Sequence, residues 1–235
     1  MKPDNYGSKL QRRSFLGTLA AGAATLGLAS LAPLQTNALP IPEKIDQVDP
    51  ESPDELFNKI KGKHRIVFDV PAPHEIFPFA WARVFLMTNQ KTGSSEKDCS
   101  VVVILRHSAI PYAFDSKLWD KYKFGEVFKV NDPATKSPSL RNPFWKPKKG
   151  DYKIPGFGEV AIGINELQES GVMFLVCDAA MTVNSAVMAD KMKIDPAELK
   201  KEWIAGLLPN VHPVPSGVWA VGRAQEHGCS YCFVG

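Results

Sequence analysis

The stretch Gly171-Val172-Met173-Phe174-Leu175-Val176-Cys177, followed at once by Asp178-Ala179-Ala180, decides how this chain is read. Its apolar residues run on without alternation, the mark of a strand covered on both faces, and a helical pattern (Ala180, Val183, Val187) begins directly behind it. Val101-Val102-Val103-Ile104-Leu105 is a second run of the same kind. Outward from these two, residues 64–70 (HRIVFDV) read as a strand. Phe77, Ala80, Trp81, Val84 and Met87 recur at helical spacing, with Pro78 near the start, where a missing N–H is harmless. Residues 114–122 and 162–170 read as helices. Asp195-Pro196-Ala197-Glu198 opens another, as a capping box with proline at its first position. Residues 211–214 form a short strand, Ser216 caps a helix that Gly228 ends, and residues 229–234 supply the last strand. Strand and helix alternating five times predict an α/β domain of flavodoxin-like, three-layer type. Its sheet has about five mostly parallel strands, with helices on both faces.

Residues 124–158 break this alternation. They carry Pro133, Pro138, Pro143, Pro147 and Pro155 and the basic cluster Lys146, Lys148 and Lys149. So long an irregular stretch is expected to be a functional insertion. Its aromatic residues Phe144, Trp145, Tyr152 and Phe157 suit packing over the domain, against a partner or at a subunit interface.

The amino-terminal end reads as an address. Lys2, Lys9, Arg12 and Arg13 precede an uncharged Gly-, Ala- and Leu-rich run, and Thr36-Asn37-Ala38 supplies small residues for cleavage. Arg12-Arg13-Ser14-Phe15-Leu16 resembles the twin-arginine export consensus, with Gln11 and Gly17 departing from its first and last positions. The resemblance implies a signal over residues 1–38, the twin-arginine translocase as export partner, a periplasmic or otherwise exported mature form, and no membrane span in that form. The other reading of this segment is an uncleaved amphipathic anchor. Residues 39–62, rich in proline and acid, read as a linker with a short helix around 54–61, which leaves 63–235 as the folded domain. The chain holds 28 Lys and Arg against 25 Asp and Glu; residues 1–38 account for four of the former and for Asp4, so the remainder carries 24 of each. A neutral domain lacks the electrostatic footprint of a nucleic-acid binder.

In a parallel sheet, ligands meet the chain beyond the carboxyl ends of the strands, which singles out Arg106, His107, Cys177, Asp178 and Pro215-Ser216-Gly217. Cys177 stands between a buried strand and a helix, where its sulfur can face amide N–H groups that favour the thiolate. A neighbouring Asp178 carboxylate works against that if it turns towards the sulfur. A buried cysteine also serves simply to fill space. Arg106 suits an anion, and His107 lies at the same strand end. Cys229-Ser230-Tyr231-Cys232, preceded by His227, offers a redox or structural disulfide, inert thiols, or soft metal ligands. Residues three apart on a regular strand point to opposite faces, so a bridge or shared metal there requires a turn. His212 reads as structural, His64 and His74 join no constellation, and Cys99 has no evident partner. Met173, Met181, Met188 and Met192 read as core. The glycines of residues 156–163 lack the strand–turn–helix setting of a dinucleotide site.

The segment from Gly171 to Ala180 resembles the Gly-Val-x-x-x-x-Cys-x-x-Ala segment of the DsrE family of sulfur-transfer proteins. Leu208-Pro209-Asn210-Val211, Pro215-Ser216-Gly217-Val218 and Ala224-Gln225-Glu226-His227-Gly228 resemble that family's closing strand and helix. The resemblance implies that Cys177 carries a persulfide. On that reading the protein is a sulfur relay, with Arg106 and His107 at the entrance and Cys229 and Cys232 resolving the loaded species. It needs no cofactor, although a metal at the carboxyl-terminal cysteines stays open, and its partners are a thiol protein or further copies of the chain. The other reading is a non-catalytic module that binds a small ligand, a metal or a protein.

Overall fold

The computed structural model describes residues 53–235. In chain order the elements are β1 (His64–Val70), α1 (Phe77–Lys91), β2 (Cys99–Leu105), a 3-10 stretch (His107–Ala113), α2 (Ser116–Tyr122), α3 (Phe124–Val127) and a small hairpin of β3 (Lys153–Ile154) and β4 (Gly158–Glu159). There follow α4 (Ile164–Glu169), β5 (Met173–Cys177), α5 (Asp178–Met192), α6 (Pro196–Ala205), β6 (Val211–Val214), α7 (Gly217–Glu226) and β7 (Ser230–Phe233). The predicted fold class is found: a five-stranded sheet in the order β6-β5-β2-β1-β7, parallel throughout, with helices on both faces. The uninterrupted apolar run of β2 is explained by its central place, since Val101 to Leu105 are all buried.

The chain steps outward through β1, β2, β5 and β6, then returns across the sheet to lay β7 beyond β1. Right-handed crossovers put the helices of the outward walk on one face and the helix of the return on the other. The two cores follow that rule. Phe68, Val103, Leu105, Phe174 and Val176 pack with Phe79 and Leu86 of α1, Met181 of α5 and Trp203 of α6. On the opposite face Val67, Val102, Ile104 and Leu175 pack with Ala220 and Ala224 of α7.

That second core also includes the short helix expected around residues 54–61. Glu55–Lys59 is a 3-10 helix, and Leu56, Phe57 and Ile60 are buried against the α7 face, so the domain begins before residue 63. Among the described residues α7 is the one longer helix on that face, and this segment adds apolar cover to the sheet. The expected export signal and most of the linker, residues 1–52, lie outside the described residues. Among the described residues no helix is long and apolar enough to cross a membrane.

Two helices bury a face shifted from the one their spacing suggested. On α1, Ala80 of the expected stripe is buried and Phe77 packs against the core, but Trp81 and Val84 are exposed and Phe79, Ala82 and Leu86 take the inner places. The helix overhangs the edge strand β7, which leaves that stripe at the sheet margin beside Phe68 and Cys232. On α5, Met181, Ser185, Met188 and Ala189 face inward, and Val183 and Val187 face out. Met192 is exposed rather than part of the core.

The insertion does lie over the domain. Asn142, wholly buried, is its anchor: the amide nitrogen donates to the carbonyls of Tyr112 (2.8 Å) and Phe114 (2.9 Å), and Oδ1 accepts from the Phe144 N–H (3.1 Å). Phe144 and Tyr152 are buried and stacked, with ring centres 5.0 Å apart, whereas Phe157 is exposed on the hairpin.

Candidate functional site

Adjacent strands whose following helices go to opposite faces leave a crevice between them. Here that pair is β5, which leads into α5, and β6, which leads into α7. The two exits are tied by a bond from the Ala179 N–H to the Pro215 carbonyl (3.2 Å). Cys177, the last residue of β5, is therefore at the topological switch point of the sheet.

Local sequence places its sulfur. Cys177 is extended (φ −74°, ψ 109°) and acts as the N-cap of α5, with Sγ accepting the Ala180 N–H at 3.3 Å. The thiol takes the place usually held by a serine or aspartate oxygen and meets the positive end of a fifteen-residue helix. The Asp178 side chain has a partner of opposite charge. Its carboxylate is bound by Lys200 of α6 at 2.9 Å, both groups being largely covered.

Arg106, at the exit of the neighbouring strand β2, lies within electrostatic range of this sulfur. Its guanidinium is held by a two-pronged bond to Asp69, Nε to Oδ1 at 2.6 Å and Nη2 to Oδ2 at 2.9 Å, and Asp69 also accepts the Tyr231 hydroxyl at 2.9 Å. Asp69 is 3 % exposed, so burial makes this pairing obligatory. The Asp69 bond raises the Arg106 pKa above its ordinary value, against the effect of burial, with smaller contributions from Tyr231 and Cys177. The arginine stem lies under the start of α7: a Cβ on Gly217 would come within 2.6 Å of Arg106 Cβ, so only glycine allows this approach. Ser216 caps α7 by accepting the Trp219 N–H at 3.2 Å.

The remaining predicted residues disperse. His107 follows Arg106 but is exposed, in the left-handed region (φ +50°), and no hydrogen bond or ion pair joins it to Cys177. Cys229 and Cys232 flank and enter β7 and lie on opposite faces, Cys229 in the α7-side core and Cys232 against the α1-side core. Both are free thiols. A disulfide between them is incompatible with this regular strand, because no turn brings the sulfurs together. Burial pushes the Cys229 thiol up to about 11, with Arg65 pulling weakly the other way. His227 caps the end of α7 and packs its ring on Phe57 (6.0 Å), away from a role as a shared ligand. Among the described residues no group of three or more His, Cys, Asp or Glu side chains is placed to hold a metal. His64 bonds Ser94 (2.8 Å), and Cys99 has its pKa raised by burial and by Asp98 and Glu96.

Asp69, Tyr231 and Lys200 were missed from sequence. Asp69 left a trace, since a carboxylate inside an otherwise apolar strand end requires a partner.

Fold and site together define a three-layer α/β protein with a helix-capping cysteine at its switch point and a clamped arginine alongside. The chain matches no protein-family model and no curated protein.

Proposed function

We propose that this protein is an exported sulfur carrier of DsrE-like type that loads a sulfane sulfur on Cys177. The observation that supports this most directly is the Cys177 sulfur in the N-cap of α5, bonded to the Ala180 N–H, with Arg106 in electrostatic range. In the loading step the Cys177 thiolate attacks the terminal sulfur of a persulfide or polysulfide. The donor S–S bond breaks, its electron pair leaves on the donor thiolate, and a new S–S bond forms on Cys177. Attack by an acceptor thiolate reverses the exchange, with no net oxidation. The helix N–H groups and Arg106 favour the anionic terminal sulfur of the loaded form. Cys177 is 6 % exposed, which suits a small polysulfide as donor better than a bulky one. The dispersal of Cys229 and Cys232 leaves the carrier role to Cys177 alone, with a thiol on a partner protein as acceptor. The twin-arginine-like segment of residues 1–38 supports assembly in the cytoplasm and work outside it.

Peptide mass spectrometry of the native protein after incubation with polysulfide tests the proposal. A gain of one sulfur mass on Cys177, removed by an added thiol, is expected. An unmodified Cys177 would overturn the carrier reading in favour of a binding module. Export is tested separately: exchange of Arg12 and Arg13 for lysine should retain the protein in the cytoplasm.

A further inference from the structure

A cleft of about 550 Å³ lies between the insertion and the loop after β1, and no cysteine lines it. One wall is aromatic. Tyr112 meets Phe144 edge-on (ring centres 5.4 Å apart), and Phe144 stacks on Tyr152. The Tyr152 hydroxyl is already committed, donating to the Pro143 carbonyl at 2.8 Å. The Tyr112 hydroxyl is different. Its residue is 1 % exposed, and it makes no hydrogen bond among the described residues. Yet it is not a sealed polar atom without a partner, as Trp203 Nε1 is. The hydroxyl therefore opens onto the cleft that Tyr112 lines. Burial raises its pKa, so it remains a neutral phenol able to donate or accept. A buried polar group directed into a mostly apolar space requires a partner.

The rim supplies charge. Lys129 and Lys136 line the opening, and neither has a carboxylate partner among the described residues. The nearest carboxylate of the insertion, Asp132, is occupied by Arg141 at 2.8 Å and by the N–H groups of Ala134 and Thr135. Glu75 and His74 stand on the opposite side, so two free ammonium groups face one carboxylate. An aromatic wall, one buried phenol and a cationic rim in a cavity of this size form a small-molecule site.

From this arrangement we infer that the cleft binds a small aromatic carboxylate bearing a polar ring substituent. The ring lies against Phe144 and Tyr152, the carboxylate reaches Lys129 and Lys136, and the substituent bonds the Tyr112 hydroxyl. The site is independent of the Cys177 reading.

Calorimetric titration of the whole protein with 4-hydroxybenzoate, benzoate and 4-hydroxybenzyl alcohol tests the inference. 4-Hydroxybenzoate should bind more tightly than each of the others by about tenfold, the worth of one hydrogen bond or charge contact. Tyr112→Phe removes a hydroxyl that bonds no protein group, so it should leave folding intact and erase the preference over benzoate. The surface double variant Lys129→Gln/Lys136→Gln should erase the preference over the alcohol. Cys177→Ala should bind like the parent, which separates this site from the sulfur chemistry. Absence of saturable binding by any of the three below ~10 mM, or binding indifferent to both sets of variants, overturns it.

Discussion

The Asp178 carboxylate, one residue beyond Cys177, is bound and neutralised by Lys200 of α6 at 2.9 Å. α5 and α6 pack as neighbours, and this ion pair keeps a negative charge from competing with the helix N–H groups for the thiol. Lys200→Met should free that carboxylate and slow iodoacetamide labelling of native Cys177 several-fold, by electrostatic opposition to the attacking thiolate. Asp178→Asn in the same background should restore the rate. Labelling followed by peptide mass spectrometry reads both.

Asp69 holds Arg106 and Tyr231 together, and its removal leaves a guanidinium without its anion. Asp69→Ala should lower unfolding free energy by about 2–4 kcal/mol, below the full cost of breaking a buried pair because Arg106 is partly exposed. Tyr231→Phe removes one neutral donor and should cost only about 1 kcal/mol. Urea unfolding followed by tryptophan fluorescence measures the difference.

Asn142 is the pin of the insertion. Asn142→Ala leaves the carbonyls of Tyr112 and Phe114 and the N–H of Phe144 without their side-chain partner and should destabilise by about 2–4 kcal/mol. Limited proteolysis should then cut within residues 124–158 well before the sheet. Simultaneous digestion of sheet and insertion would count against Asn142 as the anchor of the insertion.

Asp132 gives the insertion a dependence on acid. Burial alone would raise its pKa, but the N–H groups of Ala134 and Thr135 and the Arg141 guanidinium outweigh burial and hold it below the ordinary carboxylate value. A depressed pKa contributes stability that is complete above the unfolded value and is lost as pH falls through the folded one. The stability gap between the parent and Asp132→Asn should thus be constant above about pH 4 and close below it. Thermal unfolding of both proteins from pH 7 to pH 2.5 (on the order of the range set by those pKa values) checks this.

Cys229 should be slow to alkylate at neutral pH, its labelling rising only as the solution approaches about pH 11, because burial keeps the thiol protonated. Non-reducing mass analysis should find it unlinked to Cys232. A native Cys229–Cys232 bridge would require β7 to be broken.

The alternation of apolar runs and helical spacing was enough to identify the five strands of the sheet, and a cysteine at a strand end before a helix was enough to foresee its capping position. Those features are local: a strand buried on both faces must be apolar throughout, and a helix start exposes N–H groups whatever surrounds it. The opposite placement of Cys229 and Cys232 was likewise implicit in a spacing of three on an extended chain. Tertiary structure alone decided the rest. Asp69 meets Arg106 across 37 residues because β1 pairs with β2, and Tyr231 across 162 because β7 returns to lie beside β1. The same return leaves Trp81 and Val84 of α1 at an uncovered sheet edge, against the reading of their spacing. The Tyr112 cleft arises where the insertion folds back over the loop after β1. Periodicity reports which side of an element is apolar, but strand order and the path of a long connection set what that side meets.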